Sequence, residues 1–332
     1  MGDFYNKIRH DRKHYVGIDC LRGIAAFFIV GCHIGLSDRT ASGMALTHFC
    51  DLNVGVFAAI SGFLLYASVA EGSSTNIIKR ILGKRIRRLL PMYVIWSLFY
   101  LIVRFGTEFV FGRGGFSQDC AQGLSFWGWV VFGGGAACTL WFLINLLYAQ
   151  ITICLFYRMV PRLLNNVWFV ALCALAMLRW SVVDHGYLGY YTARLFSLVF
   201  LGWSIALCRR KMSACFWGWA MIAIASLAAH FFIGFIPRFV RDFVCVVPIL
   251  MCAISFVGDK FSGMMGDGLA STSMGVYLWH PLFVVGFQRI ISKMVSAPYS
   301  VDVLLLAWVG TYFFALVATI LTGKSPLRRF QA

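Results

Sequence analysis

Residues 16–36 read VGIDCLRGIAAFFIVGCHIGL, an apolar run interrupted by Arg22 and His33. A run of about 20 mostly apolar residues is what a helix needs to cross a bilayer. Nine more such runs follow, near 52–70, 89–105, 139–159, 166–180, 191–208, 213–231, 240–257, 269–291 and 301–322. The expected fold is therefore all-α: an integral membrane bundle of about ten transmembrane helices. Composition agrees. Hydrophobic residues make up 60% of the 332 and charged residues 13%, against about 25% charged in soluble domains. The polar remainder is split among short segments, so residues 1–332 read as one membrane domain with a basic tail at 1–14 and no soluble catalytic domain. Residues 126–136 (FWGWVVFGGGA) are short and Gly-rich, and read as an interfacial or re-entrant piece.

Charge gives the orientation. The net charge is +16, from 29 Lys+Arg against 13 Asp+Glu. Ten spans put both termini on one side, and nineteen of the Lys and Arg fall there, with nine on the other. The positive-inside rule then places both termini in the cytoplasm. Most of the basic excess is topology, not a nucleic-acid footprint. One cluster exceeds that need, a basic loop holding Lys79, Arg80, Lys84, Arg85, Arg87 and Arg88. The tail, with His10 and His14, suits anionic headgroups. No cleavable signal peptide is expected, because the first apolar run lacks a small-residue cleavage site. The eleven cysteines make no zinc spacing and no CxxC pair, so no metal is expected. Cys50 and Cys120 face the outside in this topology, where pairing is open to them.

Arg22 and His33 stand eleven residues apart, three helical turns plus about 20°, so they share a face about 16 Å apart along the axis. Ionisable groups at such depth mark a functional path by default. The bland alternatives are a snorkelling Arg22 paired with Asp19 and a hydrogen-bonded core histidine.

Asp19-Cys-Leu-Arg22-Gly-Ile-Ala with His33 resembles the first-helix motif of the acyltransferase-3 superfamily, multi-pass membrane O-acyltransferases of bacteria with relatives in animals. Further segments resemble that family in order: Val54 through Ser61-Gly62-Phe63; Lys84-Arg85-Ile-Arg87-Arg88-Leu-Leu-Pro91; Leu140-Trp141-Phe142-Leu143 to Tyr148; and Tyr277-Leu278-Trp279-His280-Pro281. There are departures. Thr139 stands where many relatives carry a His before the Trp-Phe-Leu, and Lys324-Ser325-Pro326 replaces a Glu-x-Pro-like ending. The resemblance implies a ten-helix bundle in the bacterial cytoplasmic membrane. It also implies transfer of an acyl group, acetyl above all, from acyl-CoA to a hydroxyl of a cell-surface or secreted glycan. Acyl-CoA is a co-substrate here, with no permanently bound cofactor.

The residues suit that chemistry. Arginines at the cytoplasmic mouth match the donor's phosphates in charge and bidentate geometry: Arg85, Arg88 and Arg22, with Lys84 beside them. Hydroxyl attack on a thioester needs a base near neutrality and support for an oxyanion. His33 is the candidate base, Arg22 a second catalytic candidate, and Asp51 either orients His33 or caps the second helix. His280, mid-span before Pro281, is either catalytic or a packing residue whose nitrogen satisfies backbone freed by the proline. Trp141, Asn145, Tyr148 and Tyr277 are candidate substrate contacts, each equally readable as interhelical packing. Cys32 points about 100° away from His33 and is discounted as a nucleophile. The outer stretch 106–125, with Trp127 and Trp129 after it, is a candidate glycan groove or an interfacial aromatic belt. A transporter or flippase is the alternative from another class, since intramembrane charges and broken helices suit it; no inverted repeat of the transporter kind is evident.

Overall fold

The structure is a computed structural model and describes residues 15–34, 41–70, 75–111, 140–182, 186–212, 215–232, 238–256, 260–294 and 301–323. These residues form eleven helices and no strand. In chain order they are α1 (Val16–His33), α2 (Ala41–Ala70), α3 (Thr75–Phe111), α4 (Trp141–Met159), the single turn α5 (Pro161–Leu164), α6 (Val167–Val182), α7 (Gly186–Met212), α8 (Phe216–Phe232), α9 (Arg238–Ser255), α10 (Lys260–Met294) and α11 (Val301–Gly323). Among the described residues, five stretches are long and apolar enough to cross a bilayer: Val16–His33, Thr47–Ala70, Ile78–Val103, Trp141–Met159 and Asp302–Gly323. Shorter apolar helices lie in α6 to α9.

The distribution of side chains is the reverse of a water-soluble protein. Trp168 is 81% exposed and Leu306 73%, whereas Arg194 is 3%, Asp242 1% and His280 0%. Water would penalise the first pair and reward exposure of the second group. Lipid does the opposite, because polar groups in hydrocarbon must find partners inside the protein. The chain is a membrane protein whose described residues are helical.

The basic segment is not a loop. α3 begins at Thr75 and runs unbroken through Lys79 to Arg88 and past Pro91. Ile78, Ile81, Leu89 and Met92 are all buried, which is the i, i+3, i+11, i+14 stripe of one helical face. The Ile and Leu between the charges supply an amphipathic turn pattern that the charge density masks. Arg85 falls on that same inner stripe and is half-buried, while Lys79, Arg80, Lys84 and Arg87 are exposed. Pro91 lacks an N–H and leaves the Arg87 carbonyl without its usual donor, yet the helix continues. Its next turns are tied down elsewhere: Trp96 meets Trp279 edge-on at 4.8 Å, and the Tyr100 hydroxyl donates to the Leu278 carbonyl at 2.6 Å.

Around α1 the bundle closes through α2, α9, α10 and α11, and α2 packs in turn against α7. The α2–α7 contact is backbone against backbone. A Cβ on Gly62 would run into the Val199 carbonyl, and one on Gly202 into that of Ala59. Small residues that let helices approach this closely are the usual means of association where lipid removes the hydrophobic driving force. That approach fixes where Ser61 and Phe57, on the neighbouring turns of α2, face the interior.

The interfacial piece 126–136, the stretch 112–125, Cys120, Trp127, Trp129 and Thr139, the tail 1–14 and Lys324–Pro326 lie outside the described residues. Residues 106–111 of the proposed groove belong to α3. Cys50 is buried with a free thiol.

Candidate active site

Three arginines from two helices converge on one cavity. It has a volume of about 160 Å³ and is bounded by Arg22 of α1, Ser61 of α2, Arg85 and Arg88 of α3, Gln150 of α4 and Met274 of α10. Arg85 and Arg88 are three residues apart and so share a face of α3. The three guanidiniums lie close enough to repel one another. Arg22 has a partial counter-charge in Asp19, 3.7 Å away across i,i+3. Holding three like charges around one cavity is unfavourable unless an anion joins them. The Ser61 hydroxyl donates to the Phe57 carbonyl at 3.1 Å, which leaves its oxygen lone pairs available.

The second focus lies further along α1 and α10. His33 ends α1, and its ring sits 5.2 Å from that of His280. His280 belongs to the Tyr277–Pro281 segment of α10. Pro281 cannot donate to the Tyr277 carbonyl four residues back; His280 Nδ1 donates to it instead, at 2.7 Å. A carbonyl only accepts, so this bond fixes the proton on Nδ1 and leaves Nε2 as a bare lone pair. Nε2 is buried and meets no hydrogen-bond partner among the described residues. The site thus presents an imidazole nitrogen with its lone pair free on the ring next to His33.

The two foci are connected through packed side chains. Met274, Tyr277 and His280 climb α10 in steps of three, about 9 Å in all. Phe142 of α4 packs on Tyr277 at 5.8 Å and on Phe57 at 6.1 Å. A layer of packed side chains, Phe57, Phe142 and Tyr277, therefore lies between the guanidinium cavity and the histidine pair.

A third feature adjoins the histidines. Arg194 of α7 spans two carboxylates. Its Nε and Nη2 donate to Asp242 of α9 at 2.6 and 3.1 Å. Nη1 and Nη2 reach Asp51 of α2 at 3.1 and 3.0 Å. Asp51 is also near enough to His33 to act on it electrostatically. Asp51 is therefore held by Arg194 and contributes to the electrostatic field at His33.

A family profile described as an acyltransferase domain matches residues 15–323. The chain belongs to the acyltransferase-3 family. No curated protein and no solved structure gives a significant match. As a member of this family the protein is a membrane acyltransferase, and the matched region contains all three features just described.

Other candidates take up different positions in this acyltransferase. Lys84 is exposed and does not line the cavity. Asn145 is committed to packing: its amide nitrogen donates to the Trp141 carbonyl at 2.9 Å, and its oxygen accepts from the Thr192 hydroxyl at 2.9 Å. Trp141 lines a crevice of about 10 Å³ beside Arg194. Tyr148 is half-buried on α4 and is not among the cavity's lining residues.

Gln150, Arg194 and Asp242 are not singled out by the sequence pattern read above. Arg194 carried the same signal as Arg22, a charge inside an apolar run, but its place near the outer end of a span let it count as topology. Gln150 is a neutral polar residue in the apolar stretch LLYAQITIC.

Proposed function

We propose that this acyltransferase moves an acetyl group from cytoplasmic acyl-CoA to a hydroxyl of a cell-surface or secreted glycan. It does so in the bacterial cytoplasmic membrane, with ten helices crossing and both termini inside. The observation that carries the reading is a three-arginine cavity and a histidine pair set at the two ends of the same helix, α1. Arg22 and His33 sit about 16 Å apart on α1, a span suited to a donor with phosphates at one end and a thioester at the other.

The chemistry runs as follows. Arg85, Arg88 and Arg22 hold the donor's phosphates by charge-assisted hydrogen bonds. The thin arm passes Phe142 and Tyr277, bringing the thioester to His33. His33 takes the proton of the acceptor hydroxyl as its oxygen attacks the thioester carbonyl carbon. The new C–O bond forms, and the tetrahedral intermediate collapses with cleavage of the C–S bond. The departing thiolate takes the proton back from the imidazolium. His280, whose ring lies 5.2 Å from that of His33, shares the developing proton through its bare Nε2, while Asp51 steadies the cationic form of His33.

The test is a paired one. Purified protein in lipid is expected to transfer label from acetyl-CoA to a glycan acceptor, and mass spectrometry of cell glycans with and without the protein is expected to differ by an acetyl mass. Glycans that are relocated across the membrane but unchanged in mass would instead favour a flippase.

The arginine cluster makes a separate prediction. Replacing Arg85 and Arg88 together with Ala removes two charge-assisted contacts worth about 1.5–3 kcal/mol each. Acetyl-CoA affinity, measured by titration calorimetry, is expected to fall by two orders of magnitude or more. The residual affinity is expected to depend less on salt than the wild type's, because fewer ionic contacts remain to be screened. An unchanged affinity would leave the cluster a purely topological signal.

A further inference from the structure

Gln150 is the one cavity-lining side chain whose polar atoms are both unexplained. It is 0% exposed, and neither Nε2 nor Oε1 meets a hydrogen-bond partner among the described residues. A buried carboxamide left in that state is costly. The same helix shows that the fold satisfies such groups where it has only packing to serve. Asn145, one and a half turns earlier, has both its nitrogen and its oxygen engaged. Gln150 instead borders the guanidinium cavity.

Its place on α4 is informative. Phe142, Leu146, Gln150 and Cys154 fall at intervals of four and so form one inclined ridge of the helix surface. Phe142 touches Tyr277, next to His280. Cys154 lies beside Arg85. Gln150 stands between these ends, roughly 12 Å along the helix from Phe142. A ligand anchored at the arginines and reaching toward the histidines passes it midway. A primary carboxamide offers donors on nitrogen and an acceptor on oxygen. Its best neutral complement is another amide, and the pantetheine arm of coenzyme A carries amides between its phosphates and its sulfur.

We propose that Gln150 recognises the donor's arm, with Nε2 donating to an amide carbonyl and Oε1 accepting from an amide N–H. This rests on the acyl-CoA reading above and adds a residue that selects the arm as distinct from the phosphates. Gln150 then contributes register: it sets how far the thioester is carried toward His33.

Two probes separate the parts. Acetyl-CoA has phosphates and arm; adenosine 3′,5′-bisphosphate has phosphates and no arm. The full chain in lipid nanodiscs is titrated with each, as wild type, Gln150→Leu and Gln150→Met. Both substitutions are expected to weaken acetyl-CoA about ten-fold, the loss of one to two neutral hydrogen bonds in a buried site. Affinity for the bisphosphate is expected to stay unchanged. The melting temperature without ligand is expected to hold or rise, since an unpaired buried amide has been removed. Equal weakening of both probes, an unchanged acetyl-CoA affinity, or a lowered melting temperature in both variants would each overturn the role. Failure of the wild type to bind either probe is a different result: it removes the acyl-CoA donor itself, and Gln150's role with it.

Discussion

Replacing His33 with Ala is expected to lower the rate of acyl transfer by about 10²–10⁴-fold, the usual contribution of a positioned general base. The folded state is expected to survive. His33 ends α1, and the hydrogen bond that anchors this point uses its backbone: Gln288 Nε2 donates to the His33 carbonyl at 3.1 Å. Removing the ring therefore leaves that tie in place. Acetyl-CoA binding is expected to change little, because the arginine cavity lies about 16 Å down the helix. The signature is thus a fall in kcat with KM for the donor nearly constant. His280→Ala should behave differently. It removes the ring beside His33 and also strips the Tyr277 carbonyl of the donor that replaces Pro281's missing N–H. A buried carbonyl without a partner costs about 1–3 kcal/mol, so this variant is expected to lose both activity and melting temperature. Normal transfer by His33→Ala, checked with labelled acetyl-CoA, would sink the base assignment.

The contrast between these histidines shows what was legible beforehand. Arg22 and His33 stood out because an ionisable group in an apolar run needs a reason, and helical periodicity put both on one face. The proline explained in advance why a nitrogen is wanted at His280. Arg85 and Arg88 were legible as a pair, but their segment read as a loop because the charges hid the Ile78–Ile81–Leu89 stripe beneath them. Helix α3 buries that stripe and so turns Arg85 inward. Gln150 was not legible: a lone amide in an apolar helix is ordinarily satisfied by a neighbour, and only three-dimensional packing reveals that this one is not. Arg194 is the instructive omission. In the sequence its charge reads as part of the orientation signal, and the long-range partners that make it structural, Asp51 and Asp242, are more than forty residues away.

That network yields the other large expected effect. Arg194→Met is expected to cost about 3–5 kcal/mol of stability, the range for removing one member of a buried ionic set. The reason is what remains. Asp242 is 1% exposed and Asp51 is largely buried, and without the guanidinium their carboxylates are left facing one another across three helices. Coulomb repulsion and lost hydrogen bonds act together in a low dielectric. Loss of folded yield, or a large drop in unfolding midpoint in detergent, is the readout. Arg194→Lys keeps one charge but not the planar fork that grips both carboxylates, and its midpoint is expected to fall between those of Met and wild type. The Lys variant also separates structure from chemistry. If Arg194 positions Asp51 for His33, kcat falls further than the lost stability accounts for, while acetyl-CoA affinity at the distant arginine cavity is preserved. An Arg194→Met protein that melts at the wild-type midpoint would mean that the ionic set is dispensable to the fold, with α2 and α7 held by the close Gly62 and Gly202 contacts and α9 by its apolar packing.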